Sequence, residues 1–211
     1  MAYAVQMARP RSFDEQTVLD AAMRQFRLTG YAGTTLDDLS AATGLGRGSL
    51  YASFSGKHPL FLRTLTTYAE QGLPALERFL AGPDESAVDR LREFLVGSAH
   101  SVLDDAELKG CMAGQFAHEV GVRDAKAAPI IRDTLLGQQC LVAACAEAAQ
   151  RSGDIEPSAD PMTIGGLVIS LTRGFDIMAK AGIDRDTLDA AAHQAFTGLP
   201  LTSRYRERHS S

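Results

Sequence analysis

Apolar residues return every three or four positions from residue 13 to residue 199, and the every-second-residue alternation of a strand is nearly absent. The pattern predicts an all-α chain of about nine helices. The first covers roughly 13 to 29, with Val18, Leu19, Ala22 and Phe26 on one face and Gly30 as its stop. Thr34 and Thr35 each stand three residues before an aspartate, Asp37 and Asp38. That approximates a capping box, so a second helix starts there and runs to about Thr43, where Gly44 ends it. A third occupies 46 to 54. A fourth starts near Lys57 and carries Pro59 in its first turn, where a missing N–H costs little. It continues through Leu60, Phe61, Leu65 and Tyr68, and Pro74 is expected to kink or end it.

The run Ala81-Gly82-Pro83-Asp84 breaks the periodicity. Further helices are expected over about 85–104, 109–120, 125–151 and 162–181, and a ninth, capped by Asp184, reaches Leu199. The fifth turns Val88, Leu91, Leu95 and Val102 inward, the seventh is rich in alanine, and the eighth is apolar on most sides. The last dozen residues, ending YRERHSS, are polar and read as a frayed end. The chain thus divides into a small N-terminal three-helix domain, 11–71, and a larger helical bundle, 72–200, with the fourth helix linking them.

The third helix has an unusual cross-section. At about 100° per residue, Leu50, Tyr51 and Phe54 share one arc, with Tyr51 at its border, Gly48, Ser49, Ala52 and Ser53 share the opposite one, and Arg47 stands at the other border. The apolar arc must pack on the two preceding helices, so the bare arc faces outward. A glycine inside a helix costs about 1 kcal/mol relative to alanine, so Gly48 implies that something must come close. Small side chains let a helix sit deep in a DNA major groove, and serine hydroxyls bond base edges or phosphates. Arg47 reaches a guanine edge or a phosphate, and Tyr51 the backbone. Lys57 adds charge where the fourth helix's N-terminal dipole already favours a phosphate. Residues 36–54 therefore read as a helix-turn-helix with 46–54 as the recognition helix. A plain corner between two helices with a small-residue surface is the competing reading.

With 211 residues, 45% hydrophobic and 22% charged, the composition is that of an ordinary soluble domain or two. No apolar run is expected to span a bilayer. The start, MAYAVQMARPRSF, lacks the apolar block of a secretory signal, so a cytoplasmic address is expected. The net charge of −5 argues at first against a nucleic-acid partner. Its distribution matters more: residues 1–63, which include Arg9 and Arg11, are +2, and the remainder is −7. That asymmetry fits a DNA-facing head on an acidic body. A nonspecific DNA packer would need a far more basic chain. Cys111, Cys140 and Cys145 are odd in number and lack zinc-site spacing, so they read as reduced thiols. His118-Glu119 opens like a zinc-protease motif, but Val122 stands where the second ligand would be. The five histidines are scattered, and neither a phosphate-binding glycine loop nor G-x-S-x-G is present. No catalytic group, metal or cofactor is expected.

The run from Phe26 through TGYAGTTLDDLSAATGLGRGSLYASFSGKHPLF closely resembles the N-terminal domain of the TetR (tetracycline repressor) family. The shared features are the Phe before a Gly-Tyr turn, T-T-hydrophobic, the G-x-L-Y-x-x-F recognition helix and the Lys that follows. They cover about a quarter of the chain, and the bundle is compatible in helix count and lengths. Gly46 and Gly56 depart from the usual Ser, Thr or Asn caps, and His58 and Pro59 from a commoner acidic residue and Ala. The resemblance implies that Thr35, Arg47, Gly48, Ser49, Tyr51, Ala52, Ser53 and Lys57 contact double-stranded operator DNA. It implies a ligand-responsive regulator, a repressor more often than an activator, acting as a homodimer on a palindromic operator. The eighth and ninth helices are the candidate dimer seam. Gly165, Gly166 and Gly174 permit close approach there, and burial within one chain is the alternative.

The resemblance also implies an effector site in the bundle for a small apolar or amphipathic molecule, whose binding shifts the fourth helix and spreads the heads. Phe94, Met112, Phe116, Phe175 and Met178 are the candidates, with plain core packing as the competing reading. In ELKGCMAGQFAHEVG, a Gly-Cys pair opens the sixth helix, as in a subgroup some of whose members sense electrophiles or oxidants through that thiol. Cys111 is then a ligand-site or switch residue, its thiolate favoured by the helix N-terminus, with Lys109 near in sequence and Lys180 a candidate neighbour. A buried, inert Cys111 is the alternative.

Overall fold

A computed structural model describes residues 13–104 and 110–209. Arg9, Arg11 and Lys109 therefore lie outside the described residues, as does most of the N-terminal tail. The helices are α1 (Glu15–Gly33), α2 (Leu36–Thr43), α3 (Arg47–Phe54), α4 (Lys57–Leu80), α5 (Ala87–Asp104), α6 (Met112–Glu119), α7 (Ala127–Arg151), α8 (Pro161–Lys180), α9 (Arg185–Thr197) and α10 (Ser203–Arg208). Single turns of 3-10 helix precede α5 and α7, and the described residues contain no strand, only an isolated bridge between Ile155 and Leu201. The fold is all-α, a three-helix head with a helix-turn-helix followed by a helical bundle. The chain divides between Thr64 and Leu65, within α4.

In the first unit, α1 buries Val18, Leu19, Ala22, Met23 and Phe26. Phe26 meets Phe61 edge-on at 5.2 Å, and Tyr31 lies 4.6 Å from the same ring. Gly30 breaks α1 where the sequence places its stop: its backbone leaves the helical region, with φ 76° and ψ 167°, and a short further turn runs on to Gly33. Thr34 ties the bend down, its hydroxyl donating to the Gly30 carbonyl at 2.6 Å.

In the second unit, one core gathers Leu91 and Leu95 from α5, Val142 and Ala146 from α7, Val168 and Phe175 from α8, and Leu188 and Phe196 from α9. α7 and α8 approach so closely that a Cβ on Gly165 would stand 2.5 Å from the Gln139 carbonyl oxygen. That glycine therefore serves packing within the chain. Pro74 does not end α4, which runs on to Leu80. A proline removes one backbone bond, and burial of Leu80 with Leu76 packed against the same core holds the helix past it.

Two other expectations are corrected. The C-terminal segment is not frayed: Thr202 caps α10, Tyr205 is buried, and Arg208 pairs with the buried Asp154. An aromatic and an arginine in a polar run found partners that periodicity cannot reveal. And α8 is, by length and composition, apolar enough to cross a bilayer. Its apolar residues do two jobs: Ile164, Val168, Phe175 and Ala179 enter the core, while Met162, Leu167, Ile177 and Met178 remain exposed.

Candidate nucleic-acid interface and bundle cavities

Local chemistry sets the helix-turn-helix. Thr35 caps α2 in a reciprocal box: its hydroxyl accepts the Asp38 N–H at 3.1 Å, and the Asp38 carboxylate accepts the Thr35 N–H at 2.8 Å. Gly44 closes α2 in the left-handed region at φ 70°, where a side chain is strained. The Ser40 hydroxyl donates to the Leu45 carbonyl at 2.5 Å and fixes the turn. α3 follows from Gly46, an extended cap with no side chain to bond.

The apolar arc of α3 is inside: Leu50 is 1% exposed and Phe54 5%, each burial stabilising by about 2 kcal/mol. Arg47, Gly48, Ser49 and Ala52 are exposed, Ser53 is half-buried, and Tyr51 stands out at 55% exposure. Thr35 is exposed at the head of α2, and Lys57 is half-buried at the head of α4. A Cβ on Gly48 would meet nothing within 4 Å, so the chain's own packing has no use for this glycine.

Two of the candidate contacts are engaged within the head. The Arg47 guanidinium grips Asp37 with two hydrogen bonds, and this hydrogen bonding, more than the charge, holds the Asp37 carboxyl below its ordinary range. Both side chains are mostly exposed, so the pair is a loose latch rather than a source of stability. The Lys57 ammonium lies 4.4 Å from the centre of the Tyr31 ring. Sequence reading missed both partners, because Asp37 passed for a cap and Tyr31 for part of a turn.

Two of the cavities in the bundle share a wall. One, of about 450 Å³, is lined by Ala117, His118, Leu135, Ile177 and Lys180, with Cys111, Arg173 and Asp176. The other, of about 440 Å³, is lined by Tyr68, Leu76, Phe94, Val102 and Gln138, again with Cys111, Arg173 and Asp176. Both volumes suit small molecules. Of the candidates, Cys111 lines both cavities and Phe94 lines the second. Met112, Phe116 and Phe175 line neither and are packed in the interior, and Met178 is on the outside. Selecting large apolar residues selects the core, whereas these cavities are marked by polar groups. The usable signal was Arg173 and Asp176, two charges inside the apolar α8.

Cys111 is the N-cap residue of α6. Its Sγ accepts the Tyr68 hydroxyl at 3.3 Å and faces Gln138 Nε2 at 3.9 Å. The other cysteines are also free. Cys140 is exposed, and Cys145 is buried with its thiol pushed up, by that burial first.

Comparison with known proteins agrees with this geometry. The family model described as "Bacterial regulatory proteins, tetR family" matches residues 18–64, and "Tetracyclin repressor-like, C-terminal domain" matches residues 87–195. The HTH-type transcriptional repressor ComR of Escherichia coli is 26% identical over 191 residues, covering 85% of this chain and 86% of that one. Among solved structures, a cysteine mutant of the TetR family transcriptional regulator CifR, complexed with a 26-base-pair operator duplex, is 25% identical with a TM-score of 0.78, covering 91% of this chain and all of that one. Reduced NemR of Escherichia coli shares the fold, with a TM-score of 0.77 over 89% of this chain and 97% of that one at 16% identity.

Proposed function

The chain belongs to the TetR family of bacterial regulatory proteins, helix-turn-helix regulators of transcription, and we propose that it represses from a palindromic operator and is released by a small effector. The observation that carries this reading is the outward face of α3. It is exposed, built of small residues, and interrupted by a glycine that the head does not need. A base-pair groove is the surface that such a face fits. Arg47, Ser49, Tyr51 and Lys57 then supply the polar contacts, and Thr35, Gly48, Ala52 and Ser53 permit the approach. Contact with DNA trades the Arg47–Asp37 latch for a phosphate or a guanine edge.

One head reads half a site, so two chains act on a two-fold axis. α8 carries an outer stripe of Leu167, Leu171, Gly174 and Met178, in which Leu167 is 46% and Met178 38% exposed. A Cβ on Gly174 would meet nothing within 4 Å, which leaves room for a second α8. This stripe, with α9, is the proposed seam, and Gly165 is not part of it. The effector occupies the paired cavities of the bundle. The relatives are regulators rather than enzymes, which supports a non-catalytic, cytoplasmic protein.

The test is retention of duplexes taken from beside the protein's own gene. A palindromic duplex is expected to bind with two chains, about 1000-fold tighter than a scrambled duplex of equal composition. Equal retention of both would reject the reading.

A second reading, a thiol-sensing repressor, is favoured by the surroundings of Cys111. A hydroxyl and an amide N–H point at Sγ, so the sulfur is held in a fixed position. Cys111 opens to both cavities, and Lys180 lines the first of them. Treatment with N-ethylmaleimide is expected to lower operator affinity at least tenfold in the wild type and to spare Cys111→Ser. Equal loss in both would move the effect elsewhere, to the exposed Cys140 first.

A further inference from the structure

The polar wall between the cavities limits what the effector is made of. Asp176 and Arg173 sit three residues apart on α8, with 3.3 Å between Oδ2 and Nη1. The same Oδ2 accepts the Cys111 backbone N–H at 3.0 Å, so Asp176 ties the start of α6 to α8. α6 and its approach are shaped around this pair. A Cβ on Gly110 would stand 2.3 Å from the Asp176 carboxyl carbon, and one on Gly114 would stand 2.9 Å from Arg173 Cδ. The backbone of α6 and its approach thus leaves room for this ion pair.

Hydrogen bonding around the second cavity is nearly complete on the protein side. The Tyr68 hydroxyl donates to Cys111, and Ser98 and Ser101 donate back to carbonyls of their own helix. What remains around this cavity, among the described residues, is the Arg173 guanidinium, whose Nε and Nη1 make no hydrogen bond, Nη1 meeting Asp176 only across the 3.3 Å ion pair, and the Gln138 Oε1 acceptor. Each is shut away from solvent without a hydrogen-bond partner in the chain. Both side chains line the second cavity, and a ligand reaches these covered atoms when the side chains turn toward it. Leaving such groups unmet costs about 1–3 kcal/mol each, so a ligand that meets both gains most from this cavity. The complement is an acceptor for Arg173 beside a donor for Gln138.

Charge decides between the remaining classes. Arg173 and Asp176 are the only charged side chains among the described lining residues, and they cancel. A carboxylate would bring an uncompensated charge into a site where Asp176 repels it, and an alkylamine would meet the Arg173 guanidinium. Leu76, Phe94 and Val102 offer an apolar wall for the rest of the molecule.

We propose that the effector is a neutral amide, lactam or hydroxycarbonyl compound with a short apolar body. Its carbonyl oxygen accepts from Arg173, and its adjacent N–H or O–H donates to Gln138. This rests on the reading of the bundle as the effector site.

Calorimetry on the full-length chain with three six-carbon probes tests it: hexanamide, which has acceptor and donor; methyl pentanoate, which has the acceptor alone; and hexanoate, which is charged. Hexanamide is expected to bind about tenfold tighter than methyl pentanoate, and tighter still than hexanoate. Gln138→Met, which keeps the volume, is expected to erase the advantage of the amide over the ester while the chain melts as before. Arg173→Lys is expected to weaken both. Hexanoate binding as well as hexanamide, an amide preference untouched by Gln138→Met, or no binding by any probe would overturn the assignment. Operator retention is measured on the same samples with hexanamide present. Its loss ties the site to regulation. Full retention alongside tight amide binding would count against the regulatory reading and leave the ligand class standing.

Discussion

Tyr51→Ala combined with Lys57→Ala is expected to abolish operator retention at concentrations that saturate the wild type, while the chain remains folded. Each half-site loses two contacts worth about 1 kcal/mol each, so a two-headed complex loses about 4 kcal/mol, or roughly 1000-fold. The fold has little at stake in either side chain. Tyr51 is 55% exposed, and Lys57 contributes chiefly its approach to the Tyr31 ring. On the proposed reading Lys57 neutralises a phosphate, so restoring it alone is expected to restore salt dependence, with a slope steeper by about one unit per half-site. Gly48→Ala makes a sharper companion. An added Cβ meets nothing in the chain, so the helix gains about 1 kcal/mol and the melting temperature rises. Operator affinity is expected to fall in the same variant, because the new methyl stands where a groove must come close. Fluorescence anisotropy on a labelled palindrome and a thermal melt read the two effects. If all these variants bind as the wild type does, the DNA contact lies on another face.

Gly165→Ala is expected to be the most damaging single methyl in the bundle. Its Cβ would lie 2.5 Å from the Gln139 carbonyl oxygen and 3.3 Å from the Ala143 Cβ. The first of these is backbone, which cannot swing aside, so α7 and α8 must separate along their contact. Overpacking of this kind costs about 3 kcal/mol, which lowers the melting temperature by about 8 °C in a chain of this size. Gly97→Ala in α5 is the control. Nothing lies within 4 Å of its Cβ, and the variant is expected to be as stable as the wild type or slightly more so. Similar melts for the two would mean that the α7–α8 contact is looser than the structure shows.

These two regions differ in how far the sequence reveals them. Around α3, local rules sufficed. The Thr35–Asp38 box, the Gly44 turn and the split between Leu50 and Phe54 on one side and Gly48 and Ala52 on the other are all short-range features. Each element there is specified within a few residues, so its position and exposed face could be read directly. Even so, the latch between Arg47 and Asp37 escaped, because ten residues and a turn separate the partners.

The bundle was legible only as helices. Periodicity shows which residues turn inward but not whether they meet a neighbouring helix or a cavity. Met112 and Phe116 carry the same apolar signal as a pocket residue and are simply core. Gly165 and Gly174 are both glycines of α8, yet one is pressed against Gln139 and the other is open. Pro74 carries a strong local signal to stop, overruled by the packing of Leu76 and Leu80 beyond it. Arg208 lies in a polar tail and pairs with Asp154, more than fifty residues earlier in the chain.

The amino-acid order alone determined most of the helices, the family and the bare outward face of α3, because hydrogen bonding along one helix and its caps depends on neighbours in the chain. Only the tertiary structure decided where the cavities lie, which cysteine opens onto them, and that Arg173, Asp176 and Gln138 form their polar wall. Those facts depend on how closely helices distant in sequence approach. That distance is set by the summed packing of many side chains rather than by any local pattern.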